Sequence, residues 1–237
     1  MRMVLVALAC LAVAGCESTQ AKSARLERDA QAAKKETGLT VTRTAREVAV
    51  EQTTVLQDAN GAAAVVELRN RSAGALVALP IAVTVRDAAN KSVYANDAPG
   101  LDASLVSVPA IAAGERLYWV NDQVTLAGEG KAVEAKVGAS DKPGPSSLPQ
   151  MEVTGLKTSG DASGDRAVEG DVANRSSVAQ RRLVVFVVGR KGGRIVAAGR
   201  AIVEKLAAGK RAHFSAFPIG DVQGAELSAS APPTVVS

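Results

Sequence analysis

Read as a pattern of apolar and polar positions, the chain changes its period twice. Val4 to Ala14 is an uncharged apolar run behind a single Arg2. It is too short for the roughly 20 residues that cross a bilayer as a helix, and it predicts a signal peptide over residues 1–15. From Glu17 to Gly38 the chain is rich in Ala, Lys, Glu and Arg, with Leu26 as its only large apolar residue. Helix propensity without a core-facing stripe predicts a helical or disordered tether over residues 16–40, about 33 Å long if wholly helical. One leucine is a thin anchor for a partner-binding helix.

Beyond residue 40 the pattern alternates. Val48, Val50 and Val55 lie in a run rich in β-branched residues and threonine, Asp58-Ala59-Asn60-Gly61 supplies turn chemistry, and Ala64 to Leu68 resumes extended character, which together predict a hairpin. Further strands are predicted at Leu79–Val85, near Val93 and Tyr94, at Arg116–Val120 and at Ala132–Val137, with a turn over Asp87–Lys91. Short strands at this spacing predict an antiparallel sandwich over residues 41–138. Residues 139–150 hold Pro143, Pro145 and Pro149 among Gly and Ser, the composition of a semi-extended linker and a domain boundary.

After the linker the pattern starts again. Glu67-Leu68-Arg69-Asn70-Arg71-Ser72 is answered by Asp171-Val172-Ala173-Asn174-Arg175-Ser176, and Ile81-Ala82-Val83 by Val185-Phe186-Val187, both 104 residues later. Ile111-Ala112-Ala113-Gly114-Glu115-Arg116-Leu117-Tyr118-Trp119 is answered by Leu206-Ala207-Ala208-Gly209-Lys210-Arg211-Ala212-His213-Phe214, now 95 residues later. The second copy is therefore shorter in mid-domain, where surface loops absorb deletions. In each copy Asn ends a strand and caps a turn with its side chain, and Gly suits a positive φ. A unit of about a hundred residues is too long for a solenoid repeat. The fold class predicted is all-β: two tandem antiparallel immunoglobulin-like sandwiches, over 41–138 and 151–237, preceded by a signal peptide and a tether. If the linker keeps them extended, the second lies farthest from the anchor.

Two resemblances add to this reading. Val13-Ala14-Gly15-Cys16 resembles the lipobox of bacterial lipoproteins. That family implies diacylglyceryl transfer to the Cys16 thiol, cleavage before it and frequent acylation of the new amino terminus, and stable anchoring takes two or more chains. The strand ending in Asn and small polar residues, the apolar strand, the Asp turn and the Ala-Gly turn before an aromatic strand are similar to FxLYD-type immunoglobulin-like domains of bacterial envelope proteins. The naming motif is matched only as Val83-Thr84-Val85-Arg86-Asp87 in the first copy and Val187-Val188-Gly189-Arg190-Lys191 in the second. That family implies a structural or adhesive module without catalytic residues.

Composition narrows the picture. Of two cysteines, Cys10 lies in the removed segment and lipid would occupy Cys16, which leaves no disulfide, thiol nucleophile or cysteine metal site. Aromatics are only 3% of the chain, which disfavours a platform that stacks sugars or nucleotides. Residues 39–138 carry 9 basic and 11 acidic residues, net −2, and residues 151–237 carry 12 and 8, net +4. Arg181, Arg182, Arg190, Lys191, Arg194, Arg200, Lys205, Lys210 and Arg211 are accompanied by one acid, Glu204. Such a field can dock anionic polymer, headgroups or an acidic partner, with Arg190, Lys191 and Arg194 as candidate anion-binding residues, whereas strand alternation would scatter it as solvated positions.

Other constellations are sparser. His213 is the only histidine, and Ser215 and Asp221 complete the residue types of a triad on one apparent strand, without a nucleophile elbow. Asp161, Asp165, Glu169 and Asp171 lack the alternating ligands of a calcium loop. Asn70, Asn90 and Asn174 stand in N-x-Ser form but have turn roles of their own. The sequence thus predicts a non-enzymatic lipoprotein without cofactor or metal, held by lipid on the extracytoplasmic side of a membrane. Its expected partners are an envelope protein or anionic polymer, not nucleic acid.

Overall fold

Strand β10, Gln180–Lys191, contains the run Leu183-Val184-Val185-Phe186-Val187-Val188, in which every side chain is buried. A strand with one wet face alternates; this one does not, because it lies between two apolar layers. Leu183, Val185 and Val187 enter one core cluster, while Val184, Phe186 and Val188 enter another built mainly from residues before 138. The computed structural model describes residues 38–160 and 166–236. The signal segment, Cys16, most of the tether, Asp161 and Asp165 lie outside the described residues.

The described chain is all-β. In the first sandwich β1 (Val48–Asp58), β2 (Gly61–Asn70) and β6 (Arg116–Val124) form one antiparallel sheet in the order β1-β2-β6. Facing it, β3 (Leu76–Arg86) pairs through its first half with β5 (Ser107–Ile111) and through its second half with β4 (Ser92–Ala95) and β7 (Ala132–Val137). In the second sandwich β8 (Met151–Gly160), β9 (Arg166–Asn174) and β12 (Arg211–Ala216) form the sheet β12-β9-β8. Opposite it runs β13-β11-β10-β14, with β11 at Arg194–Leu206, β13 at Ile219–Gly220 and β14 at Glu226–Ser230. The first six strands named from the sequence are all present, whereas β5 was not anticipated; its core, Val-Pro-Ala, lacks alternation and carries a proline that suits an edge.

The two sequence offsets have a structural cause. Asn70 is fully buried, and its Nδ2 donates to the carbonyls of Gly74 (2.8 Å), Ile111 (3.2 Å) and Ala112 (3.0 Å), while its Oδ1 accepts from the N–H and hydroxyl of Ser72 at 2.9 and 2.7 Å. Asn174 repeats every bond, donating to Val178, Leu206 and Ala207 and accepting from Ser176. The backbone agrees: Asn70 N–H donates to the Glu115 carbonyl at 3.0 Å and Asn174 N–H to that of Lys210 at 2.8 Å. So the residues repeating at 104 and those repeating at 95 are the two ends of one clasp. It ties the β2–β3 corner to the Ala-Ala-Gly turn, whose Gly114 and Gly209 take φ of 72° and 66°. Neither asparagine is itself left-handed, so the side chain alone performs the capping.

Between the sandwiches there is no gap. Residues from Gly38 onward form one compact unit, with β6 packed on β10 and β11, and β1 and β2 on β11 and β13. The described sheets therefore stack in four layers, with β1-β2-β6 and β13-β11-β10-β14 innermost. Residues 139–150 run along the first sandwich, where Ala139 N–H donates to Arg43 O at 2.8 Å and Pro149 is buried. Proline composition marks a chain that leaves its strand, and does not by itself hold the flanking bodies apart.

Removing either asparagine takes a donor from a buried carbonyl, Ile111 or Leu206, and from part-buried ones beside it, and a buried polar group left unpaired costs about 1–3 kcal/mol. Asn70→Ala and Asn174→Ala are each expected to lower unfolding stability by about 2–4 kcal/mol in denaturant titration, while Asn90→Ala, at an exposed turn whose φ of 63° suits asparagine better than alanine, costs about 1 kcal/mol.

Candidate interaction site

The apolar seam between the sandwiches is crossed by one chain of polar side chains. Asp122 on β6 faces β11, where its Oδ2 accepts the backbone N–H of Arg200 at 2.8 Å and its Oδ1 accepts the Arg200 Nε, also at 2.8 Å. The Arg200 side chain is only 4% exposed and Asp122 16%. The Arg200 Nη1 reaches the Ser104 hydroxyl at 2.6 Å, which donates to Asp102 Oδ1 at 2.5 Å. Asp102 Oδ2 accepts from Arg182 Nη2 at 2.6 Å, and Arg182 Nη1 continues to Glu204 at 3.1 Å. One chain of charge-assisted bonds thus crosses the seam from its dry interior to its rim.

Asp102 also caps the short 3-10 turn Ala103–Leu105, accepting from Ser104 N–H at 2.9 Å. The Ser104 hydroxyl, more than the guanidinium of Arg182, holds its carboxyl below the usual aspartate range. Elsewhere on the seam, Asp58 Oδ2 accepts Gly220 N–H at 2.7 Å. Arg190 bonds the Tyr118 hydroxyl and lies 5.8 Å from its ring centroid. Burial, helped by Glu67, raises the Tyr118 phenol above its ordinary range despite that arginine.

The basic residues named from the sequence are distributed by this arrangement. Arg190, Lys191 and Arg194 occupy the tip of the β10–β11 hairpin around Gly192 and Gly193, both at positive φ (54° and 79°), the two-residue turn whose twist suits a hairpin. Arg190 is engaged by Tyr118, and Lys191 pairs with Asp221 at 3.0 Å. Asp221 is held below its usual range first by the Gln223 N–H and then by Lys191. Arg194 is exposed and has no acidic partner within 4 Å among the described residues. Arg182, Arg200 and Arg211 are paired with Asp102, Asp122 and Asp171. Four of the nine cations therefore meet acids that lie far away in sequence, two of those acids in the other sandwich.

The triad residue types are not assembled. His213 Nδ1 is 3.4 Å from Asp171 Oδ1, whereas Asp221, just after β13, pairs with Lys191, and Ser215 lies opposite Glu169 in the β12–β9 ladder. Glu169 is paired with Lys157 and Ser159, and Asp171 with Arg211. Asn70 and Asn174 are sealed in their clasps, while Asn90 sits in its turn at φ 63°.

The acids Asp58, Asp102 and Asp122 were not picked out from the sequence. Their signal was the opposite net charge of the two copies, together with the unalternating Leu183–Val188. No family model matches the chain, and no curated protein matches it significantly.

A buried ion pair broken on one side leaves an uncompensated charge, typically at about 3–5 kcal/mol, whereas its replacement by apolar residues can be neutral. Arg200→Met alone is expected to destabilise by about that amount and Arg200→Met with Asp122→Leu by much less, read by denaturant titration as a double-mutant cycle. Because the Asp102 carboxyl is depressed in the folded state, its contribution is complete above the unfolded carboxylate range and disappears as pH falls through the folded value. Asp102→Asn should accordingly shallow the acid limb of the stability–pH curve.

Proposed function

We propose that the protein is a lipid-anchored bacterial envelope lipoprotein in which two FxLYD-like sandwiches act together as a rigid, non-catalytic interaction or structural module. Val13-Ala14-Gly15-Cys16 supports the anchor, with Cys16 as the acylated residue of the mature chain. The observation that carries the module reading is the two-sided burial of β10, with Val184, Phe186 and Val188 set against the first sandwich. A seam so apolar, crossed by a buried ion pair, supports one body that presents its outer faces to a partner, rather than two beads on a string. The polar outer face of β12-β9-β8 and the hairpin tip are the surfaces such a partner would meet.

A second reading, a receptor for anionic envelope polymer or lipid, is favoured by Arg194 and its neighbours Arg190 and Lys191 at an exposed hairpin tip. Its binding would weaken with salt and with neutralisation of those three side chains.

Cell fractionation tests the leading reading. Cys16→Ala is expected to move the protein out of the membrane fraction and to abolish the adducts that the wild type gives when intact envelopes are photocrosslinked from position 215. Membrane retention of the variant, or an absence of adducts from the anchored wild type, would count against it.

A further inference from the structure

The segment that follows β14, Ala231-Pro232-Pro233-Thr234-Val235-Val236, forms no strand, yet Ala231, Pro232 and Pro233 are buried. It is held by a side chain. Gln180, itself 1% exposed, accepts from the N–H groups of Thr234 and Val235 through one Oε1, at 2.9 and 3.0 Å. Its Nε2 donates back to the Val235 carbonyl at 2.9 Å and to Val178 at 3.2 Å. The Thr234 hydroxyl adds a bond to the Arg181 carbonyl at 2.7 Å. A buried amide is thus committed to one stretch of chain, and the corresponding position of the first copy, 104 residues earlier, is the apolar Leu76.

The segment also lies along the seam. Upstream, Ala229 to Pro233 border a cleft of about 490 Å³ that they share with Ala110–Ala112, Glu115–Leu117 and Leu148–Met151. Downstream, Thr234 borders a second hollow of about 230 Å³ between Ala78, Ser107 and Pro109 on one sandwich and Arg181, Arg182 and Val184 on the other. One short segment therefore forms part of the wall of both inter-sandwich hollows.

We infer that Pro232–Val236, beyond the core residue Ala231, is a releasable strap across the seam, with Gln180 as its catch. Seated, it closes one side of both hollows; lifted, it opens the mixed wall around Ile111, Arg116 and Met151 and the apolar wall around Val184 without unpairing any strand, because none of its own residues belongs to a ladder. The physical basis for independent release is that its backbone hydrogen bonds run to the Gln180 side chain, and its bond to the Arg181 carbonyl is made by the Thr234 hydroxyl. Segments of that kind open at lower free energy than core ladders.

Native-state hydrogen exchange on the wild type, followed by Gln180→Leu and Thr234→Ala, tests this. In the wild type the Thr234 and Val235 amides should exchange at least 100-fold faster than those of β10 and β11, yet slower than an unprotected peptide. Gln180→Leu, which installs the residue of the first copy, should raise their exchange a further 10-fold or more while the β10 and β11 amides keep their protection. Thr234→Ala provides a milder shift in the same direction should the first variant fold poorly. Exchange of the strap in step with the core in the wild type would overturn the inference, as would strap amides indifferent to both substitutions.

Discussion

The run Leu183–Val188 of β10 has no solvent face, and most of the architecture follows from that. A strand buried on both sides needs an apolar layer against each, and one sandwich provides only one of them. Leu183, Val185 and Val187 complete the core of the second sandwich, so Val184, Phe186 and Val188 require another body, and the first sandwich is that body. Once the two sheets meet, side chains at their margins must be either dry and paired or solvated. Arg200 and Asp122 take the first course, and the hairpin tip at Arg194 the second. The ion pair adds directionality to an otherwise greasy contact: its fixed geometry, with Asp122 gripping both the backbone and the guanidinium of Arg200, is met in one register only.

The composition explains why buried amides recur. With few rings and a core made largely of Ala and Val, packing alone gives little grip at the corners where strands change sheet. Asn70 and Asn174 supply it, each drawing three carbonyls and a serine around one side chain. Asn96 does the same in the first sandwich, accepting from Val83 N–H and donating to the carbonyls of Ile81 and Leu105. In a dry setting such networks are strong when complete and costly when broken, so they specify which loops meet.

The sequence carried much of this fold, and the reason is local. Alternation and turn chemistry are properties of neighbouring residues, so the β1–β2 hairpin, the Asp87 turn and the Gly114 and Gly209 turns were readable. The repeat was readable because two copies preserve the same clasp, although only the structure shows that its two differently spaced pieces touch. What was hidden is long-range. Nothing near Arg200 in sequence says that its partner is Asp122, 78 residues earlier, and a list of cations in one copy does not show that two of them, Arg182 and Arg200, are met by acids of the other. Whether residues 139–150 keep the two copies apart was equally hidden, since proline describes a backbone and not what flanks it. Phe186 was noted as part of a repeated apolar strand, yet the alternation that would have given the strand a wet face is absent there, and that absence was the available clue.

A seam of this kind makes the pair mechanically one object. If β10 binds the sandwiches together as described, neither copy has a stable folded state of its own at the seam, and heat should melt them together. Scanning calorimetry of residues 17–237 is the most direct test. The account predicts a single transition whose calorimetric and van't Hoff enthalpies agree, at about 140 kcal/mol for roughly 200 residues. Two resolved transitions, or a calorimetric enthalpy about twice the van't Hoff value, would contradict it.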